Sequence, residues 1–457
     1  MNFNQINTVY FIGIGGIGMS ALARYFHSQG KRVVGYDKTE TALTKDLVSE
    51  GIEVHYEDLG MAVLDQFSHL NTLVVYTPAI PKEFGELRAF QDHHFNVIKR
   101  AKALGIISEN FDTFAVAGTH GKTTTSTILA HVLNGTPDKV NAFIGGIASN
   151  YNSNCIINVG ANRVVVEADE FDRSFLTLQP NNSIITSMDA DHLDIYGDGN
   201  HLKTSFNEFI NLTKSYGLLM INSTIDLSEF DLSTNIRIIT YGVDNNPDWR
   251  LHALKYTEGK FFFDIISRSE IYRNIEFGLP GQHNAENATA VFALCIEQGV
   301  AEEDIRAAFK SFKGVKRRFD FKVRRPEISV IDDYAHHPTE IEAFLRSVKK
   351  LYPQKKITAV FQPHLFSRTR DFMDAFAEAL AIADELFLLP IYPAREAPIE
   401  GITSEILLEK VNLYDKEMSS KATIVQDIQA NEQEVVCIIG AGDIDTIVEP
   451  IANIYKG

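Results

Sequence analysis

Residues 118–124 read Gly118-Thr119-His120-Gly121-Lys122-Thr123-Thr124, between an apolar run and a helical stretch. Those residue types suit a phosphate loop. Glycines let backbone N–H groups cradle phosphate oxygens, Lys122 can reach the β and γ oxygens, and the Thr123 hydroxyl can ligate Mg²⁺. The strict loop pattern carries glycine at position 116, where this chain has Val116. Two acidic segments follow further apolar runs: Glu167-Ala168-Asp169-Glu170-Phe171-Asp172 and Met188-Asp189-Ala190-Asp191-His192-Leu193-Asp194. Carboxylates at strand ends beside a phosphate loop are natural Mg²⁺ ligands, and His192 could be another ligand. The bland alternatives are a solvated acidic turn and a structural histidine.

A second phosphate-binding candidate is Gly13-Ile14-Gly15-Gly16-Ile17-Gly18, with Asp37 near the ribose-reading position of a dinucleotide fold. The choice there lies between a nucleotide or nucleotide-sugar site and a plain strand–helix turn. Asn284 and Asn287, three apart in Gly281-Gln282-His283-Asn284-Ala285-Glu286-Asn287, can present both amides on one helix face, and capping explains only one of them. Lys316-Arg317-Arg318-Phe319-Asp320 is either surface charge or a phosphate contact reaching across a domain gap. Asp332-Asp333-Tyr334-Ala335-His336-His337-Pro338 and Phe361-Gln362-Pro363-His364-Leu365-Phe366-Ser367-Arg368-Thr369-Arg370 both follow apolar strands, where open α/β sheets bind ligands.

The elements that position these motifs are near-continuous apolar runs separated by helical stretches, at 8–14, 32–36, 72–76, 113–117, 163–167, 182–186, 218–221, 329–333, 357–361, 385–389 and 435–439. Such runs predict an α/β protein with parallel sheets covered on both faces. Residues 236–277 differ: short, closely spaced runs there predict a small antiparallel insertion. Helices are expected over 285–298 and 302–309. The strand–helix cycles restart near 107–110 and 313–315, which predicts three domains at 1–108, 109–314 and 315–457.

The chain has 457 residues, 45% apolar and 23% charged, which excludes a disordered or collagen-like chain. Its net charge of −17 argues against a general nucleic-acid binder. No apolar run approaches the ~20 residues that span a bilayer, and residues 1–7 show no secretory pattern. Three scattered cysteines, Cys155, Cys295 and Cys437, predict neither a disulfide framework nor a zinc site and suit a cytoplasmic location.

Taken in order, the motifs resemble those of the Mur ligases of bacterial cell-wall synthesis, over essentially the whole chain. The most specific are 118–125, 167–170, 188–194, Asp332 to Glu340 and Tyr392-Pro393-Ala394-Arg395-Glu396. Val116 is normal in this family. The resemblance implies a Rossmann-like UDP-sugar domain, a central P-loop ATPase domain and a Rossmann-like amino-acid domain, with ATP and two Mg²⁺ ions. It implies that Gly118, Thr119, His120, Gly121, Lys122, Thr123 and Thr124 hold the ATP phosphates. Thr123, Glu167 and His192 hold metal. His283, Asn284 and Asn287 serve adenine, Arg318 reaches the γ-phosphate and Asp333 takes the ribose. Gly15, Gly16, Ile17, Gly18, Asp37, Thr77, Arg100 and His120 are assigned to the UDP-sugar, and Tyr334, His336 and Arg368 to the amino acid.

Two departures locate the chain within the family. Several sister ligases carry a carboxylated lysine roughly fourteen residues after the metal histidine; here the count falls at Phe206. That agrees with the branch that adds L-alanine to UDP-N-acetylmuramate. Leu365 replaces an arginine found in some relatives, so the amino-acid carboxylate depends more on Arg368. The reaction so implied makes an acyl phosphate from ATP, which the alanine amine then attacks, with Lys122, Arg318, His192 and His336 as the catalytic set. A monomer or weak homodimer is expected. The rivals are the recycling ligase that attaches a tripeptide, a folate-polyglutamate ligase, an NAD-dependent dehydrogenase and a non-catalytic nucleotide-binding module. The dehydrogenase leaves Gly121-Lys122-Thr123 unexplained. The folate enzymes lack the first domain, and the module reading leaves Lys122, Glu167 and His192 without a task.

Overall fold

The apolar runs form three sheets. The structure, a computed structural model, describes residues 3–189, 199–232, 235–257, 260–394 and 396–456. His192, expected to ligate metal, lies outside them.

The first sheet holds β1 (Thr8–Ile12), β2 (Arg32–Tyr36), β3 (Glu53–His55), β4 (Thr72–Tyr76) and β5 (Asn96–Lys99) in the order β3-β2-β1-β4-β5. All its pairings are parallel. The second holds β6 (Asp112–Ala117), β7 (Val140–Ala148), β8 (Ser153–Ile156), β9 (Arg163–Glu167), β10 (Asn182–Ile185), β11 (Leu218–Asn222), β12 (Arg237–Gly242), β13 (Trp249–Thr257), β14 (Lys260–Ile266) and β15 (Ile271–Phe277). Its order is β15-β14-β13-β12-β11-β10-β6-β9-β7-β8. The third holds β16 (Asp320–Arg324), β17 (Ser329–Asp333), β18 (Ile357–Phe361), β19 (Glu385–Leu388), β20 (Asp415–Met418) and β21 (Val435–Ile439), ordered β16-β17-β21-β18-β19-β20. There β16 pairs antiparallel with β17, and the other four pairings are parallel.

Where a small antiparallel insertion is expected, at 236–277, β13, β14 and β15 are consecutive neighbours at one edge of the central sheet, and the entry to the region is what departs from the expectation. β12 pairs parallel with β11, and the start of β13 pairs parallel with β12. The entry strand β12 thus extends the central sheet, with Ile239 and Tyr241 buried on it. The helix expected from 285 begins at Gln282 and runs Gln282–Glu297.

The chain divides into two compact units: Met1–His252, Asp264–Ile275 and Glu286–Phe312 form one, and Ala253–Phe263, Glu276–Ala285 and Lys313–Gly457 the other. Within the first, β8 is tied to the helix Ile17–Ser28. The fully buried Asn154 side chain donates to Ile17 O and to Ser20 Oγ, 2.9 Å away, and accepts from Arg24 Nη1 at 2.6 Å. This holds the first glycine turn against the phosphate-loop sheet. In the second unit, apolar faces of the third sheet pack under the helices Pro338–Leu351 and Met373–Leu380, with Ile341, Phe344, Phe376 and Leu380 buried.

Candidate active site

The phosphate loop starts where β6 ends. Gly118 (φ +135°) and Gly121 (φ +80°) occupy backbone conformations that L side chains rarely adopt, and the helix Lys122–Gly135 begins directly after. Its first-turn amides are the donors a phosphate needs. Lys122 Nζ donates to Gly118 O (2.7 Å), Thr119 O (3.3 Å) and the Glu170 carboxylate (2.8 Å). Glu170 is fully buried. Burial pushes its carboxyl up to about 7, against the pull of the Lys122 charge. Burial alone would lower the Lys122 pKa, but Glu170 and Asp169 outweigh it and hold the ammonium charged.

At the next residue, Thr123 Oγ1 donates to Glu167 Oε1 at 2.9 Å, and Gly145 N donates to Glu167 Oε2 at 2.9 Å. Gly145 has no alternative: a Cβ there would collide with the Glu167 carboxylate. A hydroxyl and a carboxylate in contact, beside a phosphate loop, are the hard oxygen donors Mg²⁺ takes, with phosphate and water completing its shell. Among the described residues no group of three His, Cys, Asp or Glu side chains could hold a metal by itself. By donor chemistry, a hydroxyl and a carboxylate, Thr123 and Glu167 suit a Mg²⁺ ion whose shell phosphate completes.

A cavity of about 320 Å³ in the same unit is lined by Gly16, Ile17, Gly18, Thr77, Arg100, Phe143, Gly145, Glu167 and Asp169. Arg100 closes over the glycine turn, so close that a Cβ on Gly18 would sit 3.0 Å from Nη1. Its guanidinium is 3.9 Å from Asp169. The cavity thus joins five residues assigned to the UDP-sugar with the metal-ligand candidate Glu167.

Three residues assigned to the UDP-sugar have other partners in this unit. Gly15 is not among the residues lining this cavity; its amide donates to Asp37 Oδ2 at 2.7 Å, so Asp37, at the carboxyl end of β2, braces the turn. His120 also lies off the cavity wall, with Nε2 3.5 Å from Asp189, because Ser187 and Thr186 hold its backbone N–H and C=O. Phe206 is fully buried, 5.3 Å from the Phe175 ring. The position of the sister enzymes' carboxylated lysine is core here. Asn287 is brought to the phosphate loop: a Cβ on Gly121 would be 3.1 Å from its Oδ1.

In the second unit, Arg318 sits on a tightly shaped loop. Its neighbours Arg317 (φ +62°) and Phe319 (φ +49°) are both left-handed. Asp333 clamps the loop: Oδ2 accepts from Phe319 N at 2.7 Å and Oδ1 from Ala335 N at 2.8 Å. Burial pushes this carboxyl up to about 7, against the two amides and the Arg318 charge. Asp333, expected to take the ribose, thus also fixes the arginine. The Tyr334 ring lies 5.2 Å from the Arg317 guanidinium and 5.7 Å from that of Arg318. His336 Nδ1 is 3.0 Å from Tyr334 O, which can only accept, so Nδ1 carries the proton of the neutral ring and Nε2 is the basic nitrogen. The rings of Tyr334 and His336 are 5.4 Å apart, and His364 is 6.3 Å beyond. Arg368 stands half-buried in the first turn of the helix Phe366–Asp371. Asn284 uses its amide on Pro280 O at 2.6 Å, and burial lowers the His283 pKa to about 4. A neutral His283 and an Asn284 bonded to Pro280 O give local structure as well as any adenine contact.

Glu170 is expected only as one of the acidic segment's possible metal ligands, not as the counter-charge of Lys122, and Gly145 is not expected at the site. A buried phosphate-loop lysine requires a counter-charge, and a Gly145-Gly146 pair inside a strand marks a close approach; both signals stand in the chain.

Profiles of three domains match: the Mur ligase family catalytic domain over 8–112, the Mur ligase middle domain over 116–295 and the Mur ligase glutamate ligase domain over 317–442. The chain belongs to the Mur ligase family. UDP-N-acetylmuramate–L-alanine ligases are similar to this Mur ligase along their whole length. That of Flavobacterium psychrophilum is 49% identical over 100% of this chain and 99% of the relative. That of Christiangramia forsetii is 48% identical over 98% of each. The solved UDP-N-acetylmuramate–alanine ligase of Thermotoga maritima superposes with a TM-score of 0.82 at 29% identity, covering 98% of this chain and 99% of that one. The three-domain α/β Mur ligase fold accounts for the three sheets. No helix among the described residues is long and apolar enough to cross a membrane.

Proposed function

We propose that this Mur ligase joins L-alanine to the carboxylate of UDP-N-acetylmuramate, consuming ATP through an acyl phosphate. The observation that carries the reading is the shared wall at Glu167. Its carboxylate lines the cavity of Gly16, Gly18 and Arg100 and also meets Thr123, next to Lys122. A nucleotide-sugar held on the glycine turn would direct its far end toward the phosphate loop. The whole-length likeness to L-alanine-adding relatives supports the choice of amino acid.

A carboxylate cannot be displaced by an amine directly, because oxide is the leaving group. The sugar carboxylate oxygen attacks the γ-phosphorus, ADP leaves, and the mixed anhydride forms. The alanine nitrogen then attacks the acyl carbon, and inorganic phosphate departs with the C–O bonding electrons. The protein's part is positioning and charge stabilisation. The Lys122 ammonium and the phosphate-loop amides neutralise the phosphates, and Arg318 is assigned to the migrating phosphoryl group. Mg²⁺, held by Thr123 and Glu167, with His192 assigned to a second ion, would neutralise charge on the phosphate oxygens. His336 Nε2 is assigned to take the amine proton, and Arg368 to hold the alanine carboxylate. We place the domain boundaries at 1–108, 109–314 and 315–457, and the enzyme in the cytoplasm.

The test is phosphate release. It should require UDP-N-acetylmuramate and L-alanine together, without NAD. Preference for a tripeptide over L-alanine would make the recycling ligase the right reading.

A further inference from the structure

Tyr392 and Glu396 have no task in the proposed mechanism, yet both are laced to the segment that begins the Phe366–Asp371 helix. Tyr392 N donates to Pro363 O at 2.8 Å, and Leu365 N donates back to Tyr392 O at 3.0 Å. The His364 and Tyr392 rings stack with centroids 5.7 Å apart. Glu396 then supplies two acceptors. Its Oε2 takes the Ser367 N–H at 3.0 Å and its Oε1 takes the Ser367 hydroxyl. Burial acts to raise the Glu396 pKa, but the Ser367 hydroxyl and the Ser367 and Phe366 amides outweigh it, so the carboxyl stays below its ordinary value and ionised.

What these contacts restrain is unusual. Leu365, the residue before the helix, has φ +72° and ψ 135°, a conformation that a branched side chain disfavours. Such a backbone persists only where its surroundings over-determine it. Arg368 lies in the first turn after it, so the direction of that arginine depends on how the turn is held.

We propose that Glu396 is the positioning residue of the amino-acid subsite, fixing the strained start of the Phe366–Asp371 helix so that Arg368 meets the substrate carboxylate in one orientation. This rests on the assignment of Arg368 to L-alanine. Glu396 touches no reacting atom; it acts through Ser367 and the backbone.

The experiment measures initial rates of the full-length enzyme against each substrate with the other two saturating, beside a thermal melt. Glu396→Ala is expected to raise the L-alanine KM at least tenfold and leave the ATP and UDP-N-acetylmuramate KM values within twofold. Glu396→Gln keeps an acceptor for the Ser367 amide and should recover part of that loss. Ser367→Ala removes one of the two bonds and should raise the L-alanine KM about threefold. An unchanged L-alanine KM in a folded Glu396→Ala enzyme overturns the proposal, as does an equal rise in all three KM values. If Glu396→Ala does not fold, the Gln and Ser367 variants decide by the same readout, and unchanged values there overturn it. Wild-type enzyme that releases phosphate without needing L-alanine overturns the functional reading instead, so the two failures are distinguishable.

Discussion

The Lys122 ammonium and the Glu170 carboxylate are 2.8 Å apart, and Glu170 is fully buried. With Gly118 O and Thr119 O as its other acceptors, the ammonium has three partners inside the protein. Lys122→Ala should lower turnover about 100-fold or more, as expected when a charge-stabilising donor is lost. It should also leave the Glu170 carboxyl buried without its cation. The folded pKa of Glu170, already raised to about 7 by burial, rises further without Lys122. A carboxyl whose folded pKa exceeds its unfolded value binds more protons when folded, so stability falls as pH rises from the unfolded pKa through the folded one. The variant's melting temperature should therefore drop between pH 5 and pH 8 more steeply than wild type. Parallel pH profiles would show that Glu170 is not the responsible group.

Gly145 leaves room for Glu167 at the place where Thr123 meets it. Gly145→Ala should displace that carboxylate and raise the Mg²⁺ concentration needed for half-maximal activity. Overpacking of this kind costs ~1–3 kcal/mol, which, borne by the metal-bound form, is a shift of roughly 5- to 150-fold. A Mg²⁺ titration superimposable on wild type would remove Glu167 from the metal site.

Arg318 is held by a loop whose clamp is Asp333. Arg318→Ala should reduce turnover far more than it weakens ATP binding, because a contact made to the migrating phosphoryl group acts on the transition state. Calorimetric ATP affinity and kcat are compared, and equal losses in both contradict the assignment. Asp333→Ala should reproduce a large part of the turnover loss by freeing the loop.

Arg368→Lys should raise the L-alanine KM and leave the other two KM values nearly unchanged, since lysine cannot reproduce a two-bond grip on a carboxylate. The enzyme should still use glycine slowly, because one methyl group is worth only ~1–3 kcal/mol of discrimination. A change confined to the ATP dependence would move Arg368 out of the amino-acid site.

The order of motifs along the chain determined the family, the three-sheet α/β architecture and the residue types of the chemistry, because a phosphate loop, an acidic strand end and a basic pair are local patterns written in consecutive residues. The strands that escaped notice, such as β3, β5 and β20, are short or carry charge, so their apolar signal is weak. That β12 pairs parallel with β11 could not be read from its own residues, because strand direction depends on what lies alongside. Only the tertiary structure decided that Lys122 pairs with Glu170, that Asp37 braces Gly15, and that Gly145 makes room for Glu167. Those residues lie between 22 and 48 positions apart. Chain spacing sets no distance between such groups; packing of the sheets does, and with it the burial that moves their charges.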